Sequence, residues 1–173
     1  MMKNPNKPSA GRRQFIRNTT AAVGGLVILP RYVLGGKGYI APSDKVNIGI
    51  VGAGGQGQSN VRDLLQLDDV QITSVTDPGR YWDLNRFYYK SLAGREPVSE
   101  MIEDHYRKKG GNKEVRQYKR FSEMMDREKD IDAILCATPD HTHAFITIAA
   151  LKAGLHVFCE KPMAHNIWET RMV

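Results

Sequence analysis

The chain has 173 residues, of which 41% are hydrophobic and 25% are charged, and its formal net charge is +6. This length and composition fit one ordinary globular domain with a tail. All of the excess positive charge lies in residues 1–45, which carry eight basic side chains and one acidic side chain. Residues 46–173 hold 17 basic and 18 acidic side chains. This balance argues against a basic face for a nucleic-acid partner.

The basic N-terminal segment has the pattern of an export signal. Arg12 and Arg13 precede an apolar run over residues 19–30, which is too short to cross a bilayer comfortably as a helix. The segment resembles a twin-arginine signal, although Gly11 stands where Ser or Thr is usual. Residues 1–44 are therefore predicted to be a signal and linker, recognised by the twin-arginine export machinery, of a periplasmic or otherwise exported protein. A basic tail beside a chance apolar run is the alternative.

A glycine-rich loop follows the first predicted strand, residues 46–51. Its candidate cofactor-binding residues are Gly52, Gly54, Gly55 and Gly57. In the GxGxxG pattern the first glycine permits a sharp turn, the second lets a pyrophosphate approach the backbone, and the third lets the helix pack closely on the sheet. A helix predicted over residues 59–67 follows, and phosphates bind at such helix N-termini. A structural glycine turn is the alternative.

The second predicted strand, Val70–Thr76, ends at Asp77, twenty positions after the last glycine of the motif. An acidic side chain at this distance meets the ribose hydroxyls of NAD. Asp77 favours NAD because a carboxylate repels the 2′-phosphate of NADP. Arg80 lies close enough in sequence to offset that repulsion, so NADP stays open.

The segment from residue 78 to residue 114 is predicted to form a helix, a loop and a second helix. Its aromatic side chains could stack on an adenine, but we expect them to pack against the sheet: Tyr81, Trp82, Phe87, Tyr88 and Tyr89. A short third strand is predicted over residues 115–121, and a helix over residues 121–127.

Regular alternation returns at residue 131. A nearly continuous apolar strand over residues 131–137 precedes a helix over about 141–153, and a last strand, 156–159, runs into Glu160-Lys161-Pro162. Strands that alternate with helices predict an α/β fold with a doubly wound parallel sheet, similar to a Rossmann domain. Ligands bind such sheets at the carboxyl ends of the strands, where the four loops with candidate residues fall.

Three motifs together resemble the N-terminal NAD(P)-binding domain of the Gfo/Idh/MocA oxidoreductases. They are the glycine loop, Ala137-Thr138-Pro139 with His143 four residues beyond the proline, and Glu160-Lys161-Pro162. The resemblance covers residues 45–173 and implies hydride transfer between NAD(P) and a sugar or polyol. It also implies that a C-terminal substrate domain is missing. The chain would then be a fragment, truncated before the last strand of its dinucleotide-binding domain and inactive alone. A homo-oligomer stays open for the longer protein.

The resemblance assigns roles to single residues. Thr138, Pro139 and His143 would flank the nicotinamide half of the cofactor, and Glu160 and Lys161 would contact the nicotinamide ribose. Lys161 is the catalytic candidate, because an ammonium beside a carbinol oxygen can stabilise an alkoxide or relay its proton. His143 could instead be an ordinary polar residue in the first helical turn, and Lys161 could pair with Glu160 at the surface.

Two further function classes stay open, and no metal site is predicted. The first class is an NAD-dependent glycosidase, which a Glu-Lys-Pro motif disfavours, and the second is a nucleotide-binding module without catalysis. Cys136 and Cys159 lack the CxxC or histidine spacing of a metal site. Both are expected to be buried thiols, and a disulfide is conceivable after export. His141 is expected at the surface.

Overall fold

The computed structural model describes residues 40–173, so the twin-arginine pattern lies outside the described residues. A short 3-10 turn, Pro42–Asp44, precedes the first strand. The elements that follow are β1 (Val46–Val51), α1 (Gly55–Leu64), β2 (Val70–Thr76), β3 (Trp82–Asp83), β4 (Leu92–Ala93), α2 (Arg95–Lys108), β5 (Arg116–Tyr118), α3 (Phe121–Arg127), β6 (Ala133–Cys136), α4 (Asp140–Lys152), β7 (His156–Cys159) and α5 (Ile167–Met172).

The main sheet has five parallel strands in the order β5-β2-β1-β6-β7. This order confirms the predicted doubly wound α/β fold. The chain leaves β1 toward β2 on one side and returns to β6 on the other, so β1 and β6 flank the point where the strand order reverses. A crevice opens at the carboxyl ends of the strands at such a point, and ligands bind there.

Apolar side chains cover both faces of this sheet, which explains the continuous apolar strands in the sequence. On one face, Val61 of α1 and Ile102 of α2 pack against β1 and β2 in a fully buried cluster. On the other face, Met124 of α3 and Ile146 of α4 complete a second cluster. Each fully buried Ile, Val or Met side chain contributes about 1.5–3 kcal/mol through its removal from water. These two clusters fix the positions of the strands and therefore of the loops at their ends.

The segment between β2 and β5 differs from its prediction. The structure has an antiparallel strand pair, β3 and β4, followed by the single helix α2. Pro78 and Gly79 interrupt the chain directly after β2, which disfavours a helix there. Gly94 then precedes α2 with φ of +101°, where a Cβ atom would lie 2.8 Å from the carbonyl oxygen of Arg80. Only a glycine fits this turn into the helix.

The aromatic residues of that segment are exposed, so the expectation that they pack against the sheet is wrong. Tyr88 is 90% exposed, and its neighbours on the loop are also open to solvent. A hydrogen bond from Leu84 N to Ser91 O extends the β3–β4 pair and closes the base of the loop that carries these residues. The strand pair thereby holds the loop away from the sheet.

The described helices are short, and the boundaries of one differ from prediction. Within residues 40–173 none of them combines the length and the apolar composition that a membrane crossing requires. Helix α1 begins at Gly55 rather than at residue 59, because Gly55 and Gly57 of the loop already belong to its first turn.

Candidate nucleotide-binding site

A cleft of about 680 Å³ lies at the carboxyl ends of β1, β2 and β6. This volume is in the usual range for small-molecule and cofactor sites. Six of the predicted site residues line it: Gly52, Gly54, Gly55, Asp77, Thr138 and Pro139. The other predicted residues, Gly57, His143, Glu160 and Lys161, are close to these loops in the fold but are not among the lining residues.

The glycines of the loop have different structural roles. Gly52 has φ of +97°, and a Cβ atom there would lie 2.5 Å from the backbone oxygen of Ala137. A Cβ atom on Gly57 would lie 2.1 Å from the backbone oxygen of Gly52, whereas one on Gly54 would meet nothing within 4 Å. Gly52 and Gly57 thus permit close backbone packing, and Gly54 leaves open space at the N-terminus of α1, as a bound phosphate requires.

Asp77 connects two loops of the cleft. Its Oδ2 accepts a hydrogen bond of 2.8 Å from Ala53 N in the glycine loop, and its Oδ1 accepts one of 2.7 Å from Gly79 N. The residue is only 9% exposed, so these bonds fix the carboxylate against the wall of the cleft. Each oxygen retains a further lone-pair direction for an outside donor. A ribose with two hydroxyls fits such an acceptor.

The guanidinium of Arg80 is engaged by another residue and is not free beside Asp77. It forms a two-pronged ion pair with Glu96 of α2, at 2.9 and 3.0 Å. The hydrogen bonds from Arg80 hold the pKa of Glu96 below its ordinary value, and the same contact raises the pKa of Arg80. The arginine that could have favoured a 2′-phosphate is therefore already paired. Lys119, which follows β5, lines the cleft and was not among the predicted residues.

His143 is 2% exposed and is held at both ring nitrogens. Nε2 lies 2.7 Å from the backbone oxygen of Thr138, and Nδ1 lies 2.6 Å from that of Pro162. The ring therefore fastens the loop after β6 to the turn after β7. It has no free nitrogen to offer a ligand. Sequence reasoning missed this fastening, which only the fold reveals.

The Glu160-Lys161-Pro162 turn is also held from the opposite side. Asn60 of α1 donates from Nδ2 to Glu160 Oε1 at 2.7 Å, and Glu160 N donates to Cys136 O at 2.9 Å. The carboxylate of Glu160 is thus engaged by Asn60 rather than by Lys161. Among residues 40–173 the exposed Lys161 side chain has neither a hydrogen-bond partner nor an ion-pair partner. Its ammonium is available to a ligand above the turn.

Cys136, His143 and Cys159 form a cluster that the sequence spacing did not indicate. One potential ligand atom from each lies within 4.8 Å of the others, because the register of β6 and β7 places the two cysteines side by side. Both histidine nitrogens already contact backbone carbonyls, however, which leaves two sulfur atoms for any ion. Burial raises the pKa of the Cys136 thiol to about 11, so this thiol is protonated at neutral pH.

The sequence reasoning also missed part of the cleft wall. Trp82, Leu84 and Tyr89 line it from the β3–β4 segment, and His141, which is exposed as expected, also lines it from the start of α4. The only sequence signal was the position of the aromatic segment directly after Asp77. The edge where the candidate loops converge is thus a preformed cleft at the reversal point of the sheet.

A protein-family model described as an oxidoreductase family with an NAD-binding Rossmann fold, the Gfo/Idh/MocA family, matches residues 46–173. The chain belongs to this family. The cofactor of its nucleotide domain is NAD, and the space at Gly54 and the acceptor at Asp77 fit that cofactor.

The chain is similar in sequence to proteins of two kinds. The chain is 32% identical over 120 residues to an inositol 2-dehydrogenase/D-chiro-inositol 3-dehydrogenase of Shouchella clausii, covering 69% of this chain and 28% of that protein. It is 29% identical over 133 residues to a glycosyl hydrolase family 109 protein of Solibacter usitatus, covering 74% of this chain and 27% of that protein. The chain therefore spans less than a third of the length of these relatives.

The solved structure of myo-inositol 2-dehydrogenase from Lactobacillus plantarum is similar in fold. It superposes with a TM-score of 0.53 at 26% sequence identity, covering 74% of this chain and 31% of that one.

Proposed function

We propose that this chain is the nucleotide-binding part of an exported oxidoreductase that transfers a hydride between NAD and a sugar or polyol. The observation that carries the proposal is the turn at residues 160–162. Asn60 of the helix that follows the glycine loop and His143 of α4 hold this turn from two sides. The turn places Lys161, unpaired among the described residues, at the same edge of the sheet as the cofactor loops.

Each loop would bind one part of the cofactor. Gly52, Gly54, Gly55 and Gly57 form the loop for the pyrophosphate, where the N-terminal amides of α1 favour an anion. Asp77 would accept hydrogen bonds from the adenosine ribose, and Thr138 and Pro139 would form the wall beside the nicotinamide half. When bound, NAD supplies the position that accepts or returns the hydride.

Lys161 would act on the oxygen of the reacting carbon, and Glu160 beside it would contact the nicotinamide ribose. A lysine ammonium lowers the energy of a developing alkoxide and can pass on its proton. His143 and Asn60 would not touch substrate. They would position the turn, and a misplacement of about 1 Å in such a turn costs roughly a hundredfold in rate.

The test is replacement of Lys161 by alanine in the natural gene product, with Lys161→Arg as the matched variant that retains a charge. We expect NAD affinity to change little and sugar- or polyol-dependent reduction of NAD to fall by about 100-fold or more, within the range of lost acid–base catalysis. Unchanged hydride transfer with intact cofactor binding would remove lysine from the mechanism. Calorimetry of residues 45–173 with NAD tests the minimal claim, since absence of binding would refute it.

A glycosidase is the second candidate function, and it is supported by the likeness to a glycosyl hydrolase family 109 protein. In that reaction a transient oxidation of the sugar acidifies a neighbouring C–H bond and permits elimination of the leaving group. It predicts release of an aryl glycoside's leaving group that requires NAD but yields no net NADH. A panel of aryl glycosides without any release would dismiss it.

We also propose export by the twin-arginine route. Arg12, Arg13 and the apolar run over residues 19–30 support it, and a protein exported after folding can acquire its NAD beforehand. A fusion of residues 1–44 to a reporter, compared with the same fusion carrying Arg12→Lys and Arg13→Lys, tests it. Equal export of the two fusions would contradict the proposal.

A further inference from the structure

The segment from β3 to β4, residues 82–93, leaves the sheet and passes beside the cleft. Its β4 end is fixed to the nucleotide loop. Gln58 of α1 donates from Nε2 to Leu92 O at 2.6 Å, and Gly94 N donates to Ala53 O at 2.9 Å. The residues between the two strands carry the exposed aromatic side chains. The segment is thus attached to the glycine loop at one end and reaches the cleft with its other residues.

Tyr89 of this segment lies against Gly55, at the first position of α1. A Cβ atom on Gly55 would lie 2.3 Å from Cε2 of the Tyr89 ring. The next glycine before it differs, because a Cβ atom on Gly54 would meet nothing within 4 Å. Tyr89 also lines the cleft and is 43% exposed. Gly55 is therefore where the ring contacts the nucleotide loop, and Gly54 is where space remains.

Trp82 makes a similar contact at the other loop. A Cβ atom on Gly79 would lie 1.4 Å from Nε1 of the Trp82 indole, so the ring lies directly on the backbone that follows Asp77. Trp82 and Leu84 both line the cleft. Gly55, which follows β1, and Gly79, which follows β2, are thus each covered by an aromatic ring of the β3–β4 segment.

We propose that residues 82–93 are an aromatic strap that retains the dinucleotide, with Tyr89 closing the phosphate end of the cleft and Trp82 closing the ribose end. The proposal rests on binding of NAD in this cleft. Gly55 then supports cofactor binding by leaving room for the Tyr89 ring, rather than by direct contact with a phosphate. The strap covers bound cofactor and slows its release, since the ring must leave Gly55 before the pyrophosphate can leave the helix.

The strap acts on dissociation more than on association. A cofactor can enter when the ring is displaced, but it leaves only when its own contacts and those of the ring break together. Most differences in affinity between closely related complexes arise from the dissociation rate. Loss of the Tyr89 ring is therefore expected to raise the dissociation rate of NADH about tenfold, with a smaller effect on the association rate.

The experiment measures NADH binding and release by the 173-residue chain. Bound NADH is displaced with excess NAD⁺ in a stopped-flow instrument, and its equilibrium affinity is measured by fluorescence titration. Tyr89→Ala is compared with Trp168→Ala, which removes an exposed aromatic side chain outside the strap, because Trp168 is 69% exposed and does not line the cleft. The expected result is faster release from Tyr89→Ala and unchanged release from Trp168→Ala.

A second variant, Gly55→Ala, tests the contact itself. Its methyl group displaces the Tyr89 ring, so it is expected to speed release as Tyr89→Ala does and to add little in the double variant. If Gly55→Ala raises the dissociation rate of NADH by the same factor with Tyr89 present and with Tyr89 replaced by alanine, Gly55 acts on the cofactor independently of the ring. That result would overturn the strap.

Three other outcomes also decide. Unchanged release from Tyr89→Ala would overturn the proposal, and so would tighter binding by that variant, which would make the ring an obstacle to the cofactor. Absence of NADH binding by the unaltered chain would refute the cofactor site, and the strap with it. Binding by the unaltered chain together with unchanged release from Tyr89→Ala would refute the strap alone.

Discussion

Alanine substitution at two glycines of the nucleotide loop should separate packing from binding. A Cβ atom on Gly57 would lie 2.1 Å from the backbone oxygen of Gly52. Because that neighbour is backbone, no side-chain rotation relieves the overlap, and helix α1 must move by roughly 1 Å from β1 to restore an ordinary contact. Overpacking of this kind costs about 1–3 kcal/mol. In a domain of this size that lowers the melting temperature by about 4–12 °C.

Gly54→Ala is the matched comparison. Its backbone, with φ of −94° and ψ of 178°, is open to any residue, and its methyl group would meet nothing within 4 Å. Both variants reduce the freedom of the unfolded chain equally, so this effect cancels between them. We expect Gly54→Ala to melt at the temperature of the unaltered chain or a few degrees above it, because the reduced freedom of its unfolded state stabilises it by about 0.4–1 kcal/mol. Its affinity for NAD should fall about 10–100-fold, because the methyl group occupies the space that the phosphate needs for a charge-assisted hydrogen bond.

Thermal unfolding followed by circular dichroism, without cofactor, and calorimetric titration with NAD measure the two effects. The reasoning fails if Gly57→Ala melts at the temperature of the unaltered chain. It fails equally if Gly54→Ala loses as much stability as Gly57→Ala, because the open space at residue 54 would then not exist.

Three other changes have defined outcomes. His143→Phe keeps an aromatic ring but removes both ring nitrogens from the backbone oxygens of Thr138 and Pro162, so urea unfolding should show a loss of about 2 kcal/mol; an unchanged midpoint would contradict the fastening role. Glu96→Gln should release Arg80 and raise the affinity for NADP a few-fold relative to NAD. If calorimetry gives the same ratio of NADP to NAD affinity for the variant and the unaltered chain, the ion pair does not govern cofactor choice. In a Cys159→Ser variant Cys136 is the only cysteine, and because burial is the main cause of its raised pKa, its reaction with a disulfide reagent should still be rising at about pH 10, since only the thiolate reacts; a plateau near pH 9 would contradict the raised pKa.

The sequence predicts the frame of this domain closely, for a physical reason. Strands buried on both faces are apolar throughout, and helices between them cover the sheet, so β2, α3 and β7 have the predicted bounds. The loops that end β1, β2, β6 and β7 must then meet at one edge. That rule predicts Asp77 and Thr138 at the cleft, and both residues line it.

Contacts between distant segments could not be predicted in the same way. The bonds from His143 to Pro162 and from Asn60 to Glu160 depend on how helices α1 and α4 lie beside the last turn. No local pattern encodes that arrangement. The β3–β4 segment was mistaken for a helix because its short strands lack a clear period of two, and its aromatic residues suggested burial that the strand pair prevents.

The hydrogen bond between Asn60 and Glu160 joins positions 100 residues apart, and this separation affects how the chain folds and survives. A growing polypeptide that has completed β2 already has its glycine loop and Asp77, yet the Glu160-Lys161-Pro162 turn is in place only when β7 pairs with β6. Because NAD binds the complete fold, it stabilises every strand at once, by about 2.7 kcal/mol at a hundred times its dissociation constant. A larger supply of cofactor is therefore expected to lengthen the time for which the chain resists proteolysis.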